Sequence, residues 1–285
     1  MTASSGASRR IAFQGEPGAY SDLACRQVFP AWKSLPCEIF EDAIAAVRTG
    51  KAALGMLPIE NSVAGRVADI HHLLPDSGLH IIGEHYQRVN HHLLAVKGTK
   101  LSDLKIVRSH VHALSQCRKL IRALGLKAEI VADTAGAAAA VARLGDKSIA
   151  AIASELAGKV YGLTSLKKNI EDAGHNTTRF LVMAPKEKRA RNDGLVVTTF
   201  VFRVRNVPAA LYKAMGGFAT NGVNMTKLES YQLGGSFSAT QFYADIQGHP
   251  DDAPVKRALE ELAFYTTRLT ILGAYPAHPF REDMP

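Results

Sequence analysis

The chain has 285 residues, of which 47% are apolar and 21% charged, and it carries a formal net charge of +8. This is a globular composition of two- or three-domain length, which excludes a disordered chain. No apolar run approaches the ~20 residues that span a bilayer. Residues 1–9 read as a loose polar tail, and Ile11 to Phe13 is too short to be a signal-peptide core. Cys25, Cys37 and Cys117 are odd in number, widely spaced and without a CxxC pair. They argue against a disulfide framework and a structural zinc, and for a reducing, cytoplasmic compartment. The excess positive charge reads first as solubility and second as attraction of an anionic small molecule. Aromatics are 7% and no nucleic-acid motif appears, so neither nucleic acid nor membrane is an expected partner.

From Arg10 to about Ala184 short apolar runs alternate with amphipathic segments. Ile11–Gly15 predicts a strand entering a Gly-rich turn. Ser21–Phe29 predicts a helix with Ser21 as N-cap, and Glu41–Thr49 a second helix closed by Gly50. Leu54–Pro58 and Lys105–Val107 predict strands, and Val111–Ala123 a helix. Glu129–Val131 with Thr134–Arg143 repeats the strand–helix unit. Ile149–Ala153 is continuously apolar, as a buried strand is, and Thr178–Met183 is the last strand of the region. Repeated units of this kind predict an α/β fold with a mainly parallel sheet, and function gathers at the carboxyl ends of such strands.

The basic run Lys186–Arg191 reads as a solvated linker, placed at 186–194. Beyond it Leu195–Val204 predicts a strand, and Pro208–Ala219 a helix. Asn224–Gln232 and Ser238–Ile246 predict a hairpin about Gly234-Gly235, Pro254–Thr266 a helix, and Arg268–Leu272 a strand. The order βαββαβ is the ferredoxin-like arrangement.

Several segments are more polar than a connector requires. Phe13-Gln-Gly-Glu-Pro-Gly-Ala-Tyr-Ser21 is a turn whose backbone N–H groups can approach a ligand. Pro58-Ile-Glu-Asn-Ser-Val-Ala-Gly65 places Glu60, Asn61 and Ser62 just past a strand, with Ser62 equally readable as a helix cap. Ser109 and His110 sit at a strand-to-helix turn, with Gln116 about two turns on near the same face; Ser109 too reads equally as an N-cap. Asp133-Thr-Ala-Gly136 is a second polar helix entry. Asn176-Thr-Thr-Arg-Phe180 offers two hydroxyls and a guanidinium suited to a carboxylate. Cys117 reads as core. The pairs His71-His72 and His91-His92 are not a natural chelate, because adjacent side chains diverge, so no metal site is expected. GxSxG, HExxH, P-loop and GxGxxG patterns are absent.

Taken in order, FQGEPGAYS, LPIENSVAG, the SH…QC element, DTAGAA, IASELAGKVYGL and IEDAGHNTTRFLVM closely resemble prephenate dehydratase over residues 11–185. GGFATNGVNMTKLES resembles the ACT regulatory domain that usually follows. The resemblance implies a catalytic region at 10–185 of two lobes like those of periplasmic binding proteins, crossed near 81–96 and 163–171. An ACT domain at 195–275 and a tail at 276–285 would follow. It implies Thr178 as the main catalytic residue and Arg179 as a carboxylate holder. Asn61, Ser109 and Gln116 would line the site, with Glu60, Ser62, Thr134, Ala135, Gly136 and Phe180 as substrate neighbours. One departure is Val111-His112, where the family has Pro-Gln after Ser-His.

The implied reaction takes water and carbon dioxide from prephenate to give phenylpyruvate, without a cofactor. Arogenate, the amino-acid analogue, is the nearer alternative substrate, and a non-catalytic small-molecule sensor the more distant alternative. The family's phenylalanine pocket maps to Ala209, Ala210, Leu211, Glu229 and Ser230. There Ala209 replaces a glycine, and Tyr231-Gln232 replaces Arg-Pro, which points to weakened phenylalanine binding. The ACT resemblance also implies a homodimer or homotetramer.

Overall fold

The computed structural model describes residues 9–232 and 239–282. The expected hairpin turn at Gly234-Gly235 and nearly all of the N-terminal tail lie outside the described residues. Among the described residues eleven strands and seven helices come first: β1 (Arg10–Gln14), α1 (Tyr20–Val28), β2 (Lys33–Cys37), α2 (Phe40–Arg48), β3 (Leu54–Asn61), β4 (Gly65–Arg66) and α3 (Ala68–Leu73). Next are β5 (His80–Arg88), β6 (His92–Ala95), β7 (Ile106–Ser109), α4 (Val111–Ser115), α5 (Arg118–Ala123), β8 (Lys127–Ile130) and α6 (Thr134–Leu144). This series closes with β9 (Ile149–Ala153), α7 (Glu155–Tyr161), β10 (Thr164–Lys167) and β11 (Thr177–Ala184). Then follow β12 (Val196–Val204), α8 (Ala210–Thr220), β13 (Met225–Gln232), β14 (Ala239–Gln247), α9 (Ala253–Tyr265) and β15 (Thr266–Pro276). Among the described residues no helix is long and apolar enough to cross a membrane.

The chain divides into two compact units: Met1–Val67 with His85–Phe180, and Ala68–Glu84 with Leu181–Pro285. The strands up to Ala184 form two sheets of mixed α/β layers. One runs β2-β1-β3-β11-β5 with β4 beside β3, and the other runs β10-β6-β9-β7-β8. β1 is parallel to β2 and β3, and β7 is parallel to β8 and β9, whereas β6 runs antiparallel to both of its neighbours, β9 and β10. β9 explains why the second sheet needs apolar residues at every position. Ala150 and Ile152 pack with Leu114 and Cys117 from α4 and its end, while Ile149, Ala151 and Ala153 pack with Ala135, Ala138 and Val141 of α6. Successive side chains point to opposite faces, so a strand covered on both faces has no polar side.

Three local expectations are corrected here. α1 begins at Tyr20, with Ala19 as its N-cap, so Ser21 lies inside the helix and is buried. The helix expected over Val111–Ala123 is broken into α4 and α5 at Gln116 and Cys117. The Gln116 carbonyl accepts the Asp172 N–H at 2.6 Å, a tertiary bond at the break. Ser109 does not cap α4; His110 does, its Nδ1 accepting the His112 N–H at 3.4 Å.

In the second unit β12, α8, β13, β14, α9 and β15 form an antiparallel sheet in the order β13-β14-β12-β15. Phe200, Phe202, Phe218, Phe242, Ala258 and Leu262 make a core between this sheet and its two helices. Ala68–Glu84 belongs to this unit through specific contacts. The His71 ring meets Tyr243 edge-on at 4.9 Å, and Arg268 pairs with Asp76 at 3.0 Å. In the tail expected at 276–285 the described residues are tied to the fold. Pro279–Arg281 form a 3₁₀ turn, and Arg281 Nε and Nη2 donate to Glu84 at 2.6 and 3.0 Å.

Candidate active site

β3 and β11 are neighbours in the first sheet, and their adjoining ends are stitched together by Ser62. Ser62 N–H donates to the Thr177 carbonyl at 2.9 Å, Thr177 N–H donates to Ser62 Oγ at 3.0 Å, and Ser62 Oγ donates to the His175 carbonyl at 2.8 Å. β3 then turns tightly into β4, with Asn61 opposite Gly65. Asn61 Oδ1 accepts the Val63 and Ala64 N–H groups at 3.0 and 2.8 Å. These two backbone donors fix which way the Asn61 amide faces. Its Nδ2 must donate, and it does so to Asn176 Oδ1 at 2.8 Å and to Thr178 Oγ at 2.9 Å.

The same polarity propagates. Asn176 Nδ2 donates to Gln116 Oε1 at 2.6 Å, and His91 Nε2 lies 3.0 Å from the same oxygen. The Tyr20 hydroxyl lies 3.0 Å from His91 Nδ1 and 2.7 Å from the Asn90 carbonyl. Side chains from α1, β3, β11 and the α4–α5 break thus form one hydrogen-bonded chain. They border a cavity of about 200 Å³, whose walls also include Val89, His110, His112, Ala113 and Thr134. Thr134 is the first residue of α6, where unpaired N–H groups favour an anion. Burial lowers the pKa of His91 and, with His112 next, that of His110, so both are neutral near pH 7. Burial, then Glu171, raises the Tyr20 pKa, so the phenol keeps its proton.

The cavity brings together four of the residues expected from sequence: Asn61, Gln116, Thr134 and Thr178. Others are placed elsewhere. Ser109 is fully buried and donates to the Ile152 carbonyl at 2.6 Å. Arg179 is 2% exposed and donates to Glu60 Oε1 at 2.9 Å. As the neighbour of Thr178 on a strand, Arg179 faces away from the cavity, so neither it nor Glu60 stands in the cavity wall. Ser62 is a turn staple and not a helix cap, since α3 begins only at Ala68. Ala135 and Phe180 are buried core residues, and the Gly136 N–H is taken by the Asp133 N-cap at 2.6 Å.

The two glycine amides of the turn after β1 are engaged within the protein. Gly15 N–H donates to the Cys37 carbonyl at 2.9 Å, and Gly18 N–H to Asp22 Oδ2 at 2.9 Å. Gly18 has φ +90°, and a Cβ there would stand 2.7 Å from Ala157 Cα, so glycine is required by close approach. Ser154 Oγ donates to the Gly18 carbonyl at 2.5 Å, locking the turn to the start of α7. What the turn delivers to the cavity is the Tyr20 side chain.

Tyr20, His91, His110, His112 and Asn176 are wall residues that sequence reasoning did not single out as site groups. Tyr20, His110 and Asn176 lie within motifs read as polar, and this is the one signal that marked them. His91 was weighed only as half of an adjacent histidine pair, and His112 only as a departure from the family's Pro-Gln.

In the second unit Ala209 is the N-cap of α8 with φ +60°, a left-handed conformation at a non-glycine residue. Ala210 and Leu211 pack against the unit's core. Glu229 faces Lys227 at 3.2 Å and pairs across strands with Tyr243, while Ser230 pairs with Phe242.

A family model described as prephenate dehydratase matches residues 11–188. The chain belongs to the prephenate dehydratase family. It is 55% identical over 96% of its length to a bifunctional N-acyl-homoserine lactone acylase/prephenate dehydratase of Komagataeibacter europaeus, covering 98% of that protein. It is 39% identical over 96% of its length to arogenate dehydratase/prephenate dehydratase 2, chloroplastic, of Arabidopsis thaliana, covering 74% of it. Among solved structures, prephenate dehydratase of Arthrobacter aurescens in complex with L-Phe matches with a TM-score of 0.87 and 29% identity, over 97% of this chain and 91% of that one.

Proposed function

We propose that the chain converts prephenate to phenylpyruvate, carbon dioxide and water in the cavity bounded by Asn61, Gln116 and Thr178. The observation that carries this reading is the polarity at Thr178. Its Oγ accepts from Asn61 Nδ2 at 2.9 Å, which leaves its own O–H to be donated into the cavity. Prephenate needs such a donor. Its ring hydroxyl departs as water only when it gains a proton, and the ring carboxylate leaves as carbon dioxide while its bonding electrons restore aromaticity. Per turnover one proton is taken up, and the C–O and C–C bonds break across the ring. Departure of the carboxylate is helped by a site that keeps cations away from it.

Prephenate is favoured over arogenate by the lack of a carboxylate among the described cavity walls. These walls hold three imidazoles and no carboxylate, so nothing there pairs an ammonium group. Incubating pure protein with each acid and reading product absorbance tests both points. Higher kcat/KM for prephenate is expected, and turnover of neither acid by folded protein would overturn the reading.

The proposal extends to the whole chain. Residues 10–185 act as a two-lobed catalytic domain, one lobe per sheet, with 186–194 as linker. The βαββαβ region at 195–275 acts as an ACT domain that binds phenylalanine near Ala209, Ala210, Leu211, Glu229 and Ser230. Support comes from its strand order and from the L-Phe complex of the Arthrobacter relative. The protein works in the cytoplasm as a homodimer or homotetramer, which light scattering at micromolar concentration tests.

A second reading is hydrolysis of N-acyl-homoserine lactones, favoured by 55% identity to the Komagataeibacter protein. It ranks second because the bond to Thr178 Oγ comes from an amide N–H and not from an imidazole that would accept its proton. Mass spectrometry of acyl-homoserine lactone incubated with the protein decides it: released fatty acid supports the second activity.

A further inference from the structure

Gln116 Oε1 accepts from two sides, Asn176 Nδ2 at 2.6 Å and His91 Nε2 at 3.0 Å. An amide oxygen held in this way aims the Gln116 NH2 group elsewhere, and Gln116 is a wall of the cavity. The bond from His91 forms only if Nε2 carries the proton, because two acceptors cannot share a bond. His91 is 3% exposed, and burial keeps it below its ordinary pKa, so near neutrality it carries one ring proton and the tautomer decides the contact. Gln116 makes that choice, because its Oε1, already accepting from Asn176, can only accept from Nε2 as well. The Tyr20 hydroxyl donates to the Asn90 carbonyl at 2.7 Å and packs 3.0 Å from Nδ1. The His91 backbone N–H is fixed separately, on Glu171 Oε2 at 2.8 Å, so the ring is anchored at both ends.

We propose that His91 is a positioning residue for Gln116: its Nε2–H, together with Asn176 Nδ2, holds the Gln116 amide oxygen so that the NH2 group donates to the substrate. This rests on the reading that Gln116 contacts prephenate. The aimed NH2 is suited to an oxygen of the dianion, complementing the Thr178 hydroxyl on the facing strand.

The test compares His91→Leu and His91→Gln, with Gln116→Ala as the background for a double-mutant cycle. His91→Leu should lower kcat/KM about tenfold, the worth of one neutral hydrogen bond, with its melting temperature reported alongside. His91→Gln carries an amide N–H near the Nε2 position and should recover most of the loss. In the Gln116→Ala background His91→Leu should add less than about twofold, since the group it positions is gone. Nitrogen NMR of the wild type should find His91 protonated at Nε2. Equal losses in His91→Leu and His91→Gln, a loss that persists in the Gln116→Ala background, or an Nδ1–H tautomer in the wild type would each overturn the proposal. Wild-type turnover is measured first. Its absence defeats the dehydratase reading itself, while the NMR measurement still judges the His91 geometry.

Discussion

Asn61 and Thr178 are 117 residues apart in sequence, and the Asn61 amide nitrogen donates to the Thr178 hydroxyl at 2.9 Å. Because Asn61 Oδ1 is occupied by two backbone N–H groups, the asparagine cannot turn round and accept instead. On the proposed reading the threonine then donates its own proton into the cavity. Thr178→Ser should keep measurable turnover, because the hydroxyl survives. Thr178→Val is nearly isosteric but has no hydroxyl, and should lower kcat about a hundredfold or more. Near-normal turnover by the valine variant would end the assignment. Asn61→Asp puts an acceptor where the donor stood and should cost activity comparably.

Arg179 gives a different expectation from the one its sequence position suggests. A carboxylate holder would, when replaced, raise KM and leave stability alone. Buried and paired to Glu60 at 2.9 Å, Arg179 should instead act on the fold. Arg179→Met should cost about 3 kcal/mol of stability, toward the low end for a broken buried pair because Glu60 keeps some contact with water. Thermal melts with steady-state kinetics separate the cases. An unchanged melting temperature with a raised KM would restore the substrate-binding role.

The contrast shows what a linear sequence carries. Ile149–Ala153 and Thr134–Leu144 were legible because local chemistry marks them: an unbroken apolar run in one, an Asp133 N-cap and a Gly145 C-cap in the other. β2 was not, since it contains Pro36, has no apolar run and is only half buried at a sheet edge. The α4–α5 break is set by Asp172, far along the chain, and the amphipathic pattern runs through it unaltered. Asn61, Gln116, Thr134 and Thr178 were found through motifs. Tyr20 and His91, 71 residues apart, and His91 and Gln116, 25 apart, meet only in three dimensions, so no spacing rule pairs them.

Arg281 supports the second unit from the C-terminal end. Its guanidinium donates to Glu84 at 2.6 and 3.0 Å and lies 3.6 Å from Asp245 Oδ2, and both carboxylate side chains are 0% exposed. Arg281→Met strips the cation from two buried carboxylates and should destabilise by about 3–5 kcal/mol. Adding Glu84→Gln should recover part of the loss, because one uncompensated charge is then removed. If Arg281→Met melts like the wild type, the C-terminal residues are dispensable for this unit.

Ala209 tests the regulatory proposal and the backbone together. Its φ of +60° is a conformation that costs an L-residue about 1–2 kcal/mol and glycine almost nothing. The family's glycine would be at ease there. Ala209→Gly removes that strain but adds freedom to the unfolded chain, so the net gain should be at most about 1 kcal/mol, a rise of about 2–4 °C. If the Ala209 methyl also crowds a bound amino acid, the same variant should bind phenylalanine more tightly. Titrating phenylalanine and tyrosine against activity and melting temperature, in wild type and Ala209→Gly, reads both effects, since a ligand that prefers the folded state raises the melting point by mass action. A larger phenylalanine-dependent shift in the glycine variant supports the pocket. No shift and no rate change at millimolar phenylalanine in either protein would defeat regulation by phenylalanine, leaving the chemistry at Thr178 untouched.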